Sequence, residues 1–335
     1  MEYRNYTPFP SIAFESHDEQ HRRFGIAVVQ GSFHIRDGQQ LRIIDDQPPI
    51  RLQDEYYGDP LQTSLQKESC LIPFKTGADV LVNANAFSPN GRPASQWQVS
   101  IRFGTITHRL TVTGARSWER KFGGYSLSEI IPSEQVPLRY EYAFGGSYTR
   151  EDGESEIWPP NPVGRGFIPE KRAKLPDRLD APQIFARPED ANGLTLGSPV
   201  AIAGIGPVPP HWQSRLKFAG TYNLMWRETA YPGYPSDFQW DFYRTAPSGL
   251  QLPGYANGDE RVELINMTPN RRHSFALPGI RLSTLMRFHS GAIAPGPAFL
   301  DTIHLDLPEQ KAHLTWRAIF PADGELRVLE MRSQE

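Results

Sequence analysis

The sequence predicts a mainly β protein made of antiparallel, sandwich-like modules, with one helix and a long Pro/Gly-rich connection. Three observations lead to this fold class. Short runs alternate apolar and polar residues at the period of a half-buried strand. Asp-Gly and Asn-Gly pairs, which suit tight hairpin turns, follow several of these runs. The chain also holds 28 Gly and 31 Pro among 335 residues, a composition that favours many turns over long helices.

The length of the chain predicts more than one module. A chain of 335 residues exceeds the size at which a single hydrophobic core usually keeps growing. We expect an N-terminal β module over residues 1–146, a Pro-rich connecting region over 147–210 and a C-terminal β module with one helix over 211–335. One elongated double sandwich is the alternative.

The clearest strand patterns lie in the N-terminal module. Residues 97–103 alternate apolar and polar side chains, and Gly104-Thr105 predicts a tight hairpin to a second alternating run over residues 106–112. Residues 79–87 predict a further strand. Asp37-Gly38 predicts a hairpin earlier in the chain, because both positions tolerate positive φ.

The connecting region is rich in proline. Eleven prolines lie between Pro159 and Pro210, and each removes a backbone donor, which excludes a long helix or a paired central strand. The region is either an ordered, wandering connection or a disordered linker. Its apolar anchors indicate that much of it packs, with Pro182–Phe185 lying against this protein or against a partner.

The C-terminal module begins with the best helix candidate. Residues 211–230 place Trp212, Leu216, Ala219 and Trp226 on one helical face, and Pro232 ends the pattern. Short strands follow. Near the C-terminus, Asp323-Gly324 predicts a hairpin like the one at Asp37-Gly38.

The stretch from Pro137 to Phe167 organises the prediction of function. A short strand over 138–144 ends at Gly145-Gly146, an acidic insert runs from Glu151 to Glu156, and a rigid loop follows over Asn161–Phe167. This loop presents Arg165 between two glycines. Arg165 either meets a carboxylate, a phosphate or a partner backbone, or it bonds carbonyls of its own loop and holds the crossover together.

Aromatic and shaped loops supply the candidate contact residues. Exposed tyrosine and tryptophan are frequent anchors of protein interfaces. The partner-binding candidates are Tyr56, Tyr57, Trp158, Asn161, Arg165 and Phe167.

Charge and cysteine content limit the classes of partner and the cellular compartment that we expect for this protein. The formal net charge is -3 and long basic runs are absent, which argues against nucleic-acid binding. The single cysteine, Cys70, cannot form an internal disulfide and suits a reducing cytoplasm. Neither a signal peptide nor a membrane-spanning apolar run is visible, so we expect a cytoplasmic protein that does not bind a membrane.

Known catalytic motifs are absent, which predicts a non-enzymatic protein without cofactor or metal. The chain lacks a phosphate-binding Gly-Lys-Ser/Thr loop, a dinucleotide-binding Gly pattern, a zinc-binding His-Glu-x-x-His and a Gly-x-Ser-x-Gly elbow. The alternative is a carbohydrate-active or other β-sandwich hydrolase. That alternative requires acids such as Asp54, Glu55 and Glu141 to converge in one cleft.

Several stretches together carry a family resemblance. They are residues 47–49 with 54–58, 74–82, 137–146, 161–167, 211–212 with Arg215, and 219–222. With these stretches in this order, the chain resembles the effector-chaperone (adaptor) proteins of type VI secretion, described by a domain of unknown function numbered 2169.

The resemblance implies a cytoplasmic, bacterial protein that binds a toxin effector encoded beside it. It also implies that the protein helps load this toxin onto the secretion spike or its pointed tip, without a cofactor. A purely structural part of the secretion machine is a further alternative, which predicts self-assembly or a fixed stoichiometry with spike protein in the absence of toxin.

Overall fold

The computed structural model describes residues 1–149, 153–169 and 175–333. The strands of the first part are β1 (Glu2–Asn5), β2 (Ser11–His17), β3 (Arg23–His34), β4 (Gln39–Gln40), β5 (Arg42–Ile43), β6 (Glu55–Tyr56), β7 (Leu65–Lys67), β8 (Asp79–Asn83), β9 (Asn85–Phe87), β10 (Gln96–Phe103), β11 (Ile106–Thr113), β12 (Ser117–Lys121) and β13 (Gly124–Leu127). The later strands are β14 (Gln135–Pro137), β15 (Phe144–Gly145), β16 (Ser147–Thr149), β17 (Ser155–Ile157), β18 (Arg165–Gly166), β19 (Arg178–Asp180), β20 (Ile184–Phe185), β21 (Arg261–Ile265), β22 (Arg272–Ala276), β23 (Leu282–Phe288), β24 (Ile293–Asp306), β25 (Lys311–Pro321) and β26 (Leu326–Ser333). The fold is therefore mainly β, as the sequence predicts.

The largest sheet joins the two ends of the chain. Seven strands follow in the order β1-β26-β23-β24-β25-β3-β2, while β5 pairs with β3 and β8 pairs with β24. The edge strands β1 and β2 are consecutive in the chain, with only residues 6–10 between them. This link reaches roughly 20 Å, whereas seven strands laid flat would hold their edges about 29 Å apart. The sheet must therefore curl until it is nearly closed.

Strand β3 is buried on both faces, which explains its continuous apolar run. Val29 and Phe33 belong to the main core, whereas Ile26 and Val28 pack with Cys70 in a smaller cluster. Along its length, from Phe24 to His34, the strand also pairs with β25 in the antiparallel direction. Strands covered on both faces read as near-continuous hydrophobic runs.

The second large sheet has six strands in the order β20-β11-β10-β21-β22-β4. The predicted hairpin at Gly104 joins β10 to β11, and the predicted apolar face of β10 is buried, with Trp97 5% and Phe103 1% exposed. Both large sheets contribute to one apolar cluster that includes Val99 of β10 and Trp316 of β25. The two sheets therefore pack in a sandwich-like arrangement over a shared core.

Strands from both predicted modules take part in each large sheet. In the first sheet β3 pairs with β25, and in the second β10 pairs with β21. The predicted divisions at residues 146 and 210 therefore do not coincide with a division between sheets.

The two Asp-Gly turns differ from each other. After Asp37-Gly38 the chain first adds β4 to β22 in parallel, and only then returns to β3 as the short β5. The hairpin predicted at Asp323-Gly324 is wrong, because β25 and β26 are not neighbours: β26 crosses to pair with β23 and β1. A turn dipeptide sets the local reversal but carries no information about the partner strand.

Parts of the connecting region are folded against the body. Residues 184–185 form β20, which pairs with β11, and both side chains are buried. Strands β16 and β17 form a hairpin that carries the acidic insert. Glu151 and Asp152 of this insert lie outside the described residues.

The described residues contain three short α-helices instead of one long helix. They are α1 (Pro188–Asn192), α2 (Gln213–Leu216) and α3 (Leu224–Thr229), with 3-10 turns at Pro89–Gly91, Tyr140–Tyr142, Trp240–Tyr243 and Ser248–Leu250. The predicted helix over 211–230 breaks at Gly220, whose φ is 79°. After the break, Asp237 accepts hydrogen bonds from the backbone and hydroxyl of Thr221, and Asn223 caps α3.

Candidate functional site

Backbone hydrogen bonds join the two ends of the stretch Pro137–Phe167, and we call this joined region the crossover. Strands β15 and β18 pair in parallel, with Phe144 opposite Arg165. Gly145 has a φ of 146°, and a Cβ there would lie 2.1 Å from the carbonyl oxygen of Asn161. Only glycine permits this approach, so the Gly-Gly pair predicted to end a strand also locks the crossover.

Asn161 lies in the interior of this crossover. The residue is fully buried, and its Nδ2 donates to the carbonyl oxygens of Tyr140 and Phe144, both at 2.9 Å. Its side chain therefore holds the stretch 137–146 in place, and in this conformation it offers no surface to a partner.

Arg165 makes its contacts within the same crossover. Its Nε donates to the carbonyl oxygen of Glu141 at 2.7 Å, and its guanidinium lies 4.4 Å from the centre of the Tyr142 ring. Its backbone nitrogen donates to Ala143 at 3.0 Å. This is the geometry of the structural alternative. Because Arg165 is only half-buried, a partner contact stays a prediction.

Trp158 and Phe167 form an aromatic cluster with Phe144 at the crossover. The Trp158 ring lies 5.5 Å from Phe144 and 5.7 Å from Phe167 between centroids. Both candidate residues are half-buried. Packing against neighbouring rings buries part of each side chain, and the rest of each side chain is exposed at the surface.

Tyr56 and Tyr57 belong to a loop that is tied to the crossover. The Arg139 guanidinium lies 3.6 Å from the centre of the Tyr57 ring, and burial raises the pKa of Tyr57 to about 12. Burial also raises the pKa of the half-buried Tyr56. The same loop is held by Glu141, which accepts from the backbone and hydroxyl of Ser64 at 2.9 and 2.7 Å.

The three acids of the hydrolase alternative have separate partners. Asp54 accepts from the backbone of Ser69 at 2.7 Å, Glu55 pairs with Arg51 at 3.2 Å, and Glu141 is held by Ser64. Within residues 1–149, 153–169 and 175–333, no group of three or more His, Cys, Asp or Glu side chains could hold a metal ion.

A serine–histidine contact that the sequence did not reveal lies between neighbouring strands. The Ser32 hydroxyl is 2.8 Å from Nδ1 of His313. Ser32 is 1% exposed, and burial lowers the pKa of His313 to about 3. A serine nucleophile needs access to substrate and a base that titrates near working pH, so this pair does not have the properties of a catalytic dyad.

Two of the sequence motifs, residues 137–146 and residues 211–212 with Arg215, meet at one cleft of about 500 Å³. We call this feature the cleft and define it by Tyr140, Trp212, Arg215 and Phe218, which line it. Trp212 is 1% exposed and packs edge-to-face on Tyr140 with centroids 5.1 Å apart. The backbone of Gln213 donates to the carbonyl oxygen of Pro159 at 3.1 Å, which joins α2 to the residues just before the loop Asn161–Phe167.

Arg215 is the most unusual group on the wall of the cleft. Its Nε donates to Phe242 at 2.9 Å and its Nη1 to Val208 at 2.7 Å, both to backbone carbonyls. Among the described residues, no carboxylate lies within 4.0 Å of it. The side chain is 6% exposed, and burial lowers the pKa of its guanidinium. Buried charges are usually paired, so this lone cation marks the cleft as a candidate site.

Several large apolar side chains are exposed on residues 216–231, which directly follow the cleft-lining Arg215 in the chain and which we call the apolar segment. Its exposed large side chains are Leu216, Tyr222, Leu224, Met225 and Tyr231. Tyr222 and Tyr231 both pack edge-to-face on Trp226, with centroids 4.7 and 5.6 Å away. The continuous helix predicted from sequence hid this surface, because it assigned Leu216 to a buried face. Gly220 followed by Asn223, a helix stop and a helix cap, is the signal that could have revealed it.

Comparison with known families places most of the chain in one match. Residues 20–317, which are 298 of the 335, match the model of a family described as uncharacterized proteins conserved in bacteria, DUF2169. Comparison with curated proteins and with solved structures finds no significant match. Across the part of the chain that the structure describes, no helix has the length and apolar character needed to cross a membrane.

Proposed function

We propose that this chain, which belongs to the DUF2169 family, is a non-enzymatic adaptor (chaperone) for a type VI secretion toxin effector. In this proposal it binds the toxin in the cytoplasm and helps load it onto the secretion spike or its tip. The observation that carries the proposal is the apolar segment, because exposed apolar side chains concentrated on one stretch mark protein-binding surfaces.

The composition of the apolar segment supports a protein partner. Leu224 and Met225 are each about two-thirds exposed, at 68% and 67%. Aromatic residues and Met are enriched in interfaces, and Met adapts its shape to different partners. A standard interface covers about 800 Å² on each partner, so the segment would be the centre of a larger contact.

The scaffold beneath the apolar segment supports the same proposal. Ala219 and Trp212, on either side of Leu216, are buried at 7% and 1% exposure. Asn223 caps the short helix α3. The exposed side chains are therefore held on a folded backbone, and binding a partner requires little ordering of this segment.

The link to type VI secretion comes from the motif resemblance. Residues of the matching stretches 137–146, 161–167 and 211–212 pack in one cluster through Tyr140, Val163 and Trp212, and the apolar segment follows Arg215 in the chain. The half-buried candidates Tyr56, Tyr57, Trp158 and Phe167 stay predicted contacts at the edge of this region. Buried, unpaired Cys70 suits action in a reducing compartment.

Co-expression with the toxin encoded beside this chain tests the proposal. We expect the tagged chain and the toxin to elute as one complex of defined stoichiometry, with the toxin insoluble or degraded when it is expressed alone. The double variant Leu224→Asp, Met225→Asp should lose the toxin, because two charges would be buried without partners. Its own melting temperature should not change, since both side chains are exposed.

Ile293→Asp is the matched control for this variant. Ile293 is 55% exposed at the start of β24, outside the apolar segment, and its substitution should leave the complex intact. Free elution of both wild-type proteins, with the toxin soluble unaided, would remove the basis of the adaptor proposal. A fixed complex with spike protein in the absence of toxin would instead favour a structural part of the machine.

A further inference from the structure

The cleft holds a buried cation, Arg215, that has no carboxylate within 4.0 Å among the described residues, while the charges of Glu68, Asp54 and Asp79 act on it from farther away. Two of the three guanidinium nitrogens of Arg215 donate to backbone carbonyls, and the third, Nη2, makes no hydrogen bond to a described residue. An arginine presents its donors as a planar fork that matches a carboxylate. A donor left free on an otherwise buried arginine is therefore poised for an anionic ligand.

We propose that the cleft binds a carboxylate of the toxin effector through Arg215, with Lys217 at the rim. The inference rests on the proposed function, since it names what the adaptor recognises in its partner. The carboxylate belongs to an acidic side chain or to the free C-terminus, and the experiment below distinguishes these two sources.

The charges around the cleft leave a positive excess. Arg244 also lines it but is neutralised by Asp79, whose carboxylate lies 2.8 Å from its Nε. Exposed Asp241 contributes one negative charge and accepts from Thr76 at 2.8 Å. Among the side chains that line the cleft, Arg215 and Lys217 therefore exceed the remaining acid by one charge, and Asp54 and Glu68 act on Arg215 only from beyond 4.0 Å. This balance favours an anionic ligand over a cationic one.

The shape of the cleft fits a peptide side chain. Its volume of about 500 Å³ lies in the range of ligand sites. Tyr140, Trp212 and Phe218 supply aromatic walls, and the Lys217 ammonium lies 4.6 Å from the Phe218 ring centre. A charged donor between aromatic faces suits an acidic residue that has an apolar neighbour.

The cleft is continuous with the apolar segment along the chain. Ser214, Arg215, Lys217 and Phe218 line the cleft, while Leu216 between them is 54% exposed. A partner that covers the apolar segment therefore passes the rim of the cleft. We infer one binding region, in which the segment supplies apolar contact and Arg215 supplies selectivity.

Charge changes in the full-length chain provide the first test, measured as the affinity for the purified toxin. Lys217→Glu should weaken binding by about tenfold or more, since a charge-assisted contact becomes repulsive. Arg215→Lys should weaken it comparably, because the charge remains but the planar fork is lost. Lys121→Glu, at an exposed position outside the cleft, is the matched control and should bind as the wild type does. Melting temperatures identify any variant that has lost its fold.

Peptides test the inference without altering the chain. Overlapping peptides that cover the toxin are measured against the wild-type chain in two sets, one capped by a C-terminal amide and one with a free C-terminus. Binding by a capped peptide that is lost on Glu→Gln or Asp→Asn replacement assigns the carboxylate to a side chain. Binding only by the C-terminal peptide with its free carboxylate assigns it to the chain end.

The outcomes separate the inference from the proposed function. If toxin binds but neither Lys217→Glu nor Arg215→Lys weakens the complex, the adaptor proposal stands and the cleft proposal is wrong. Equal binding of acidic peptides and their amide replacements would also overturn the cleft proposal. If the wild-type chain binds no toxin at all, both proposals fall together.

Discussion

Arg165, a predicted partner-binding residue, makes contacts within the folded chain that contribute to its stability. Its charged donor is 2.7 Å from the Glu141 carbonyl oxygen, and its guanidinium covers the Tyr142 ring. A hydrogen bond from a charged group contributes about 1.5–3 kcal/mol, and a cation–π contact about 0.5–1 kcal/mol. These contacts predict a cost in stability when the residue is changed.

Arg165→Glu should lower the free energy of unfolding by about 2 kcal/mol, because it removes the donor and sets a carboxylate against a carbonyl. In a chain of this size we expect a fall in melting temperature of a few degrees. Thermal and urea unfolding measure the effect, with Lys121→Glu, at an exposed position outside the apolar segment, as the control. An unchanged melting temperature together with lost toxin binding would instead identify Arg165 as a contact.

Residue roles in this region could be predicted only where backbone geometry decides them. The glycines next to Phe144 and the Asn-Pro turn predicted a rigid loop, and in the structure this loop is hydrogen-bonded to residues 140–146. Burial of Asn161 could not be predicted, since asparagine in a Gly/Pro-rich loop is usually exposed. Lys75 is a stronger case: it is 1% exposed and bonds Glu68 and Asp79 at 2.6 and 3.0 Å. No spacing in the sequence indicates that these charges share the core.

At the scale of elements, strands β24 and β25 place two histidines directly opposite each other. His304 pairs with His313 in register, and their ring centroids are 6.0 Å apart. Burial, together with the nearby charges of Arg51 and Lys67, lowers the pKa of His313 to about 3. Burial and the neighbouring His313 hold the pKa of His304 well below its ordinary value. Both rings are therefore neutral in the folded chain at pH 7.

This strand pair predicts that acid destabilises the fold. As pH falls below about 6.5, both histidines gain protons in the unfolded chain, while in the folded chain they stay neutral. The unfolded state then binds more protons, so stability decreases with falling pH, by up to about 2.7 kcal/mol per pH unit for two groups. The loss from His313 continues down to its folded pKa of about 3.

His313→Gln should reduce the number of protons taken up on unfolding by about one between pH 6 and pH 4, which appears as a shallower slope of the unfolding free energy against pH. Urea unfolding across this range measures the slope, and the comparison with wild type cancels the contribution of carboxylates. His34→Gln is the control, because His34 is exposed at the end of β3. If wild-type stability does not change between pH 6.5 and 5, the two histidines are not neutral in the folded state.

At the scale of the whole molecule, local patterns predicted the strands but not their partners. Alternation within residues 97–103 identified β10, and Gly104-Thr105 identified its hairpin, because both signals are local. The pairing of β3 with β25 joins residues that are far apart in the chain, such as Phe33 and Ala312. Apolar alternation is the same for either partner, so the sequence could not distinguish two separate modules from two sheets that share strands.

The apolar segment escaped prediction for a similar reason, since helical spacing does not report where the core lies.

The shared strands predict that the chain cannot be divided at residue 146. A fragment of residues 1–146 would contain β3 without β25 and β10 without β21, which exposes backbone donors and core side chains such as Phe33 and Phe103. Burying one such aromatic side chain contributes about 1.5–3 kcal/mol, and a typical domain is stable by only about 5–15 kcal/mol. We therefore expect this fragment, expressed alone, to be insoluble or rapidly exchanging in hydrogen-exchange measurements, and the intact chain to unfold in one transition.

Co-expression with residues 147–335 should restore a soluble complex, because the missing strands are then supplied in trans. A fragment of residues 1–146 that folds alone with slow-exchanging amides in β3 and β10 would show instead that the N-terminal half is an independent module.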